Sequence, residues 1–283
     1  ITNDISTVDI KKLLKYRGPI LKRMWFNDSH IVHGGNHEKS LCHSLFEDVL
    51  KTKNVSWPPP TTPPRELLDM YTMRKAQLVD WYFAQKYNGG VGYVWDKNIV
   101  KHHILSPNIC GGYYVDTCAL TMVKYQHYID GKVCLVIGSE SPWAEAALLN
   151  LKAKHVITIE YMEIKTDYPK LTTYHPSAVA ELNIKNLWEP VDLIFSYSSL
   201  EHDGLGRYGD PLNPFGDLES VARARCLLKP HGILMLGVPF APDTVLWNAH
   251  RTYGKYRLAL LTMGFQIIDL IGSSCYVDKH AVR

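Results

Sequence analysis

Glu160 stands twenty-two residues after Gly138, and both sit where an apolar run stops. Residues 133–137 read Val-Cys-Leu-Val-Ile and end at Gly138-Ser139-Glu140, after which Pro142 leads into an Ala/Leu-rich stretch, Trp143 to Leu151. A β-branched run, a glycine and a helical segment make a strand, a tight turn and a helix. Pro142 suits the first helical turn, where its missing N–H has no intrahelical partner, and Gly138 lets backbone come close to a ligand. His155 to Ile159 reads as the next strand, with Glu160-Tyr161 at its end. A carboxylate there can accept both hydrogen bonds of a ribose diol. A third apolar run, Val191 to Ser196, continues into Tyr-Ser-Ser-Leu-Glu-His-Asp-Gly through Gly204, so Ser196, Ser198 and His202 fall at the carboxyl end of a buried strand. Open α/β sheets bind ligands at such ends.

The elements that must position these residues repeat strand then helix, the signature of a parallel sheet with helices on its faces. After Glu160 come a short strand near Leu171 to Tyr174 and a polar helix at Ala178 to Leu187. Beyond His202, Asp217 to Leu228 reads as a helix and Ile233 to Val238 as the fifth strand, entered through Lys229-Pro-His-Gly232. Lys255 to Met263 is helical, Phe265 to Ile271 is expected to be extended, and Cys275-Tyr-Val277 is a candidate final antiparallel strand. Residues 1–130 read as a mainly helical extension and 131–283 as the catalytic-type domain. In the extension, Pro58 to Pro64 forms a rigid strap, and Arg65 to Tyr87 shows apolar residues at helical spacing, expected to form one long helix.

Composition sets the outer limits. The apolar fraction of 46% and charged fraction of 21% are those of a globular domain, and no run of about 18 apolar residues is long enough to span a membrane. A net charge of +3 with scattered Lys and Arg argues against nucleic acid. The chain starts Ile1-Thr2, which is expected of a form whose leader or anchor has been removed. Two Asn-x-Ser sequons begin at Asn27 and Asn54. Of six cysteines, Cys110 and Cys118 are close enough to pair, whereas Cys134 and Cys226 lie in apolar patterns that suit free buried thiols. His30, His33, His37, Cys42 and His43 match no standard metal spacing, and no metal is expected.

From Lys132 to about Val277 the chain resembles a class I S-adenosylmethionine-dependent methyltransferase. The residues that carry the resemblance are Val-Ile-Gly-Ser at the first strand, Glu160 ending the second, Asp192 to His202, and Leu228-Lys-Pro-His-Gly-Ile-Leu, where His231 replaces a usual glycine. More narrowly, His202 to Asp217 together with Trp247-Asn-Ala-His-Arg251 is similar to a nematode-rich family of unknown function. The resemblance implies a Rossmann-like sheet, mostly parallel with an antiparallel last strand. It implies S-adenosylmethionine as cofactor, held by Gly138, Ser139, Glu140, Glu160, Tyr161, Ser196 and Ser198. Glu140 departs from the pattern, since that position is usually a second glycine.

Methyl transfer to a hydroxyl needs a base to remove its proton. His202 is the first candidate, with Asp203 to orient the imidazole, and His250 is the alternative. Arg207, Tyr208, Asp210, Asn213, Trp247 and Arg251 offer donors and acceptors for a polyhydroxylated acceptor. Asp210 and Asp217 are conceivable ligands for a hard cation. The missing start, the sequons and the candidate disulfide favour a secretory lumen such as the Golgi over the cytoplasm, and there the natural acceptor is a glycan, such as a fucosylated N-glycan. Nematode surface sugars carry O-methyl groups as a class, which fits. Two alternatives stay open: a catalytically degenerate, glycan-binding relative, and an NAD-dependent oxidoreductase.

Overall fold

The computed structural model describes residues 36–51, 58–83, 92–105 and 115–271. Both sequons, Cys110, His30, His33 and the candidate strand Cys275–Val277 lie outside them. In chain order the helices are α1 (Asn36–Lys51), α2 (Leu68–Thr72), α3 (Lys97–Leu105), α4 (Val115–Lys124), α5 (Trp143–Asn150), α6 (Pro176–Ile184), α7 (Gly216–Leu227) and α8 (Lys255–Leu261). The strands are β1 (Gln77–Val79), β2 (Tyr93–Trp95), β3 (Val133–Ile137), β4 (His155–Ile159), β5 (Ile164–Thr166), β6 (Leu171–Tyr174), β7 (Val191–Tyr197), β8 (Leu228–Gly237), β9 (Thr244–Leu246) and β10 (His250–Thr252). They fall into two compact units, one built from 86–200 and 224–237, the other from 1–85, 201–223 and 238–283.

The first unit is a mixed α/β sheet unit. Its five strands lie in the order β6-β4-β3-β7-β8, and every pairing is parallel. Numbered within the sheet, that order is 3-2-1-4-5, the Rossmann-like arrangement in which strand order reverses beside the first strand. Alternate residues face one core: Cys134 and Val136 of β3 and Leu193 and Phe195 of β7 pack with Val100, Met122, Ala144, Ala147 and Leu148 from α3, α4 and α5. Leu135 and Ile194, equally buried, point to the other face, as the two-residue period of a strand requires. Burial on both faces explains why these strands read as unbroken apolar runs. His231 adopts φ +63°, so the histidine takes the left-handed conformation for which glycine is the usual choice.

The second unit carries a small sheet in which β9 pairs parallel with β1 and antiparallel with β10. Tyr71, Leu205, Val245 and Trp247 form its apolar cluster. The proline strap packs within this unit: Pro60 O accepts from Trp247 Nε1 at 2.8 Å and Pro59 O from the Tyr82 hydroxyl at 2.8 Å.

Three local expectations change. Instead of one helix from Arg65 to Tyr87, the described part is a single 3-10 turn, α2 and then β1, because Met73 and Arg74 both take positive φ and end the helix. Of the apolar residues that mimicked helical spacing, Leu78 sits on that short strand, and Trp81, Tyr82 and Phe83 follow it outside any helix. Phe265–Ile271 forms no strand. Cys226 is disulfide-bonded rather than free, as are Cys42 and Cys118, while Cys134 is a free buried thiol.

Candidate functional site

The cofactor-assigned residues all fall in the sheet unit, around the loop that leaves β3. Gly138 has φ +77° and its N–H donates to Ile159 O at 3.0 Å. A Cβ there would come within 1.8 Å of Ser199 Oγ, so the space that only glycine leaves is filled by the chain's own serine. Ser139 N–H donates to Glu160 Oε2 at 2.9 Å, and Glu160 Oε1 accepts from Tyr161 N–H at 2.7 Å. The acid that ends β4 and the loop that ends β3 are therefore one hydrogen-bonded unit. Oε1 also accepts from Met162 N–H at 3.4 Å, so of the two accepting positions on each oxygen one is left, on Oε2, for an outside hydroxyl. Burial raises its pKa, and the nearby Glu140 carboxylate adds to the rise. Glu140 itself is exposed.

Ser196 sits in β7, fully buried, and spends its hydroxyl on Ile137 O at 3.1 Å. Ser198 has φ +50° and donates its N–H to Gly237 O. Beneath the loop lies Glu145 of α5, with no exposed surface; its carboxyl accepts from Thr158 Oγ1 at 2.7 Å and meets Ser139 Oγ at 3.2 Å. Beyond Glu160, Tyr161, Met162, Tyr174 and His175 line part of an open cavity of about 480 Å³.

The catalytic and acceptor-assigned residues all fall in the second unit, where the structure sorts them into two groups. His202, Arg207, Tyr208 and His250 form a cluster. Ala249 O takes the His202 Nδ1 at 2.5 Å and Arg207 Nη1 at 3.4 Å, so one carbonyl fixes both side chains. His202 rings lie 5.3 Å from Tyr208 and 6.2 Å from His250, both edge-on. The Arg207 guanidinium stacks 4.1 Å over the Phe83 ring and 5.0 Å from Tyr208. Because Ala249 O can only accept, Nδ1 carries the hydrogen and Nε2 presents a lone pair, 3.9 Å from Glu201 Oε1. Burial, then the charges of Arg207, His250 and Arg251, lower the His202 pKa to about 3. The ring is neutral at physiological pH.

The other group holds the loop up. Asp210 accepts from the N–H groups of Gly204 (2.7 Å), Gly206 (3.0 Å) and Tyr208 (3.1 Å). Asn213 bonds Phe215 N–H and Glu219. Arg251, fully buried, donates to Asp203 O at 2.6 Å and to Glu201 O at 3.3 Å. Trp247 is fully buried against the proline strap. Asp217 accepts from Arg257 at 2.5 and 2.7 Å and from the Tyr253 hydroxyl at 3.0 Å, which leaves it no role as a metal ligand beside Asp210. Asp203 does not orient His202: its carboxyl accepts from Ser220 Oγ at 2.5 Å, and burial, reinforced by Asp210 and Asp217, pushes its pKa up to about 8. The Ala249 carbonyl does the orienting.

Sequence reasoning missed Ser199, Glu145, Phe83 and Asn248. Asn248 is fully buried at φ +54°, its Oδ1 accepts from Phe83 N–H at 2.6 Å, and its Nδ2, like Arg251 Nε, is a buried donor with no partner among the described residues. Glu145 had a signal, an acid inside an Ala/Leu helix; the others depended on contacts far apart in sequence.

Residues 131–277, the span from just before β3 to beyond α8, match the family described as Caenorhabditis protein of unknown function, DUF268. The chain belongs to that family. In DUF268 terms, the matched span holds the whole five-stranded sheet, the Gly138 loop, Glu160 and the His202 cluster, and leaves out the proline strap and Phe83. No curated protein matches the chain.

Proposed function

We propose that the chain is an S-adenosylmethionine-dependent O-methyltransferase of the class I type, acting on a sugar hydroxyl of a glycan in the secretory lumen. The observation that carries the reading is the parallel 3-2-1-4-5 order with Gly138 ending the first strand, Glu160 ending the second, and the 2.9 Å bond from Ser139 N–H to Glu160 between them. The donor set suits the cofactor's adenosine: Glu160 retains one accepting position, on Oε2, for a ribose hydroxyl, and Tyr161 and Met162 open onto an aromatic-walled cavity suited to a planar base. Ser139 and Glu140 fall to the methionine part, with the Glu140 carboxylate a partner for its ammonium. When bound, the cofactor supplies an electrophilic methyl group on a sulfonium.

His202 then takes the hydroxyl proton on Nε2, the nitrogen that its bond to Ala249 O leaves open. A weakly basic imidazole suffices, because the proton becomes strongly acidic as the oxygen is alkylated. Glu201, 3.9 Å from Nε2, stabilises the imidazolium that forms. Arg207 and Tyr208 grip the acceptor, with His250 beside them, while Asp210, Asn213, Trp247 and Arg251 keep their loop in shape. Three disulfide-bonded cysteines favour an oxidising lumen such as the Golgi, and there glycans are the abundant hydroxyl acceptors.

The test is transfer of labelled methyl from S-adenosylmethionine to fucosylated N-glycans by the purified chain. Label in the sugar supports the reading. Label only in small molecules or protein side chains overturns the acceptor; failure to bind S-adenosylhomocysteine overturns the cofactor. Glycan binding without it, or binding of NAD in its place, selects the corresponding alternative.

A further inference from the structure

Glu145 has no exposed surface, and among the described residues no cation pairs with it. The charged or titratable groups around it are Glu160 at the end of β4, His155 at that strand's start, and those of α3, which packs along α5: Lys97, Lys101 and His102, all exposed, and the half-buried His103. β3 contributes only the buried Cys134 thiol, which burial keeps protonated. A buried carboxylate without a cation is costly, and the usual outcome is that it stays protonated.

Proton counting at Ser139 points the same way. Ser139 Oγ stands 2.8 Å from Ser141 O and 3.2 Å from Glu145 Oε2. A hydroxyl has one proton, and a peptide carbonyl can only accept, so the shorter contact claims it. The contact to Glu145 is then a hydrogen bond only if Oε2 carries a proton and donates it. Thr158 Oγ1, 2.7 Å from Oε1, completes the acid by donating to its carbonyl oxygen. Ionised, Oε2 would face the lone pairs of Ser139 Oγ.

We propose that Glu145 is a neutral carboxylic acid whose O–H donates to Ser139 Oγ, and that it is a positioning residue for the Gly138–Ser141 loop. Ser139 is held from both sides, by its hydroxyl to Glu145 and by its N–H to Glu160. Losing the Glu145 proton withdraws one of the two holds and adds a second negative charge beside Glu160. Burial pushes the Glu145 pKa up to about 7, so this loss falls in the physiological range. The consequence for ligand binding rests on the methyl-donor reading; the proton assignment does not.

The experiment compares wild type with Glu145→Gln, whose amide can still donate to Ser139 and accept from Thr158. First, the infrared carbonyl band of a protonated carboxylic acid is expected at mildly acid pH in wild type, fading as the pH rises through neutral and missing from Glu145→Gln. Absence of that difference band overturns the assignment whatever any ligand does. Second, calorimetry with S-adenosylhomocysteine is expected to show affinity falling roughly tenfold per pH unit above the transition in wild type, as the competent fraction shrinks, and a flattened profile in Glu145→Gln. Identical profiles in the two proteins overturn the positioning role. If the band is present and the ligand binds neither protein at any pH, the methyl-donor reading fails, and protection of the Ser139 amide against hydrogen exchange decides the positioning role. Protection lost above neutral in wild type alone supports it, and equal protection in both overturns it.

Discussion

Asp217→Asn tests whether the His202 cluster stands on one buried carboxylate. Asp217 and Arg251 have no exposed side-chain surface and Arg257 almost none. Arg257 grips both carboxylate oxygens, at 2.5 and 2.7 Å, the Tyr253 hydroxyl adds 3.0 Å, and Arg251 Nη1 stands 3.9 Å away. Arg251 in turn fixes the carbonyls of Glu201 and Asp203, on either side of His202. Asn keeps the shape and one acceptor but removes the charge, leaving two guanidinium groups buried without it. Breaking a buried pair from one side costs about 3–5 kcal/mol, a large share of the roughly 5–15 kcal/mol that holds a domain together. In urea, with a slope on the order of 3 kcal/mol/M, the midpoint should fall by about 1–1.7 M at unchanged slope. The sign with pH follows from the two arginines, which outweigh burial and hold the folded pKa of Asp217 below its ordinary 3.8. Its contribution is present above that value and is lost as the pH falls through the lower folded one, so the gap between mutant and wild type should close in strong acid. A loss under about 1 kcal/mol at neutral pH, or a gap that widens on acidification, would refute the reasoning.

Gly138→Ala should cost about 2 kcal/mol or more, because its Cβ would overlap Ser199 Oγ and φ is +77°; pairing it with Ser199→Gly should recover only the overlap, read by thermal unfolding. His202→Ala should slow methyl transfer about 10²- to 10⁴-fold and leave S-adenosylhomocysteine affinity unchanged, and wild-type rates would move the base to His250. Asp203→Asn should match wild type in stability below about pH 3.8 and exceed it at neutral pH, since burial keeps the folded acid protonated up to about pH 8 while the unfolded acid ionises. Between pH 3.8 and that value the folded chain binds more protons than the unfolded one, so wild-type stability falls as pH rises and the mutant's should fall less. A large drop in transfer by Asp203→Asn without loss of stability would return the orienting role to Asp203.

The inner strands were legible because they are buried on both faces: Val133–Ile137 and His155–Ile159 fall where the apolar runs place them and Val191–Tyr197 extends its run by one residue, whereas the edge strand Leu171–Tyr174 keeps its expected span with only Leu171 buried, and Leu228–Gly237 takes in the expected Lys229–Gly232 turn. The helix Arg65–Tyr87 failed because three-residue strands such as Gln77–Val79 are too short for a two-residue period to outweigh chance helical spacing. For the same reason β2 gave no signal. Residue type marked His202, Arg207, Tyr208 and His250, which the fold gathers, and equally Asp210, Asp217 and Arg251, which the fold spends on its own backbone and ion pairs. Nothing in a sequence separates an acid that grips a ligand from one that grips three N–H groups of its own loop. The orienting partner of His202 was illegible in principle, because the Ala249 carbonyl belongs to no residue type.

The groups proposed to act are buried in the states that the proposed chemistry needs. His202 is held neutral by burial and by the cations around it, and loses that state only as the pH falls toward about 3. Glu145 is held neutral by burial without a cation, and loses that state as the pH rises past about 7. A base must be unprotonated and the loop acid protonated at once, so the two assignments define one window that opens toward acid and closes just above neutrality. A mildly acidic lumen lies inside that window and an alkaline medium outside it. The same burial that makes each group costly to ionise therefore sets their shared working range between acid and neutrality.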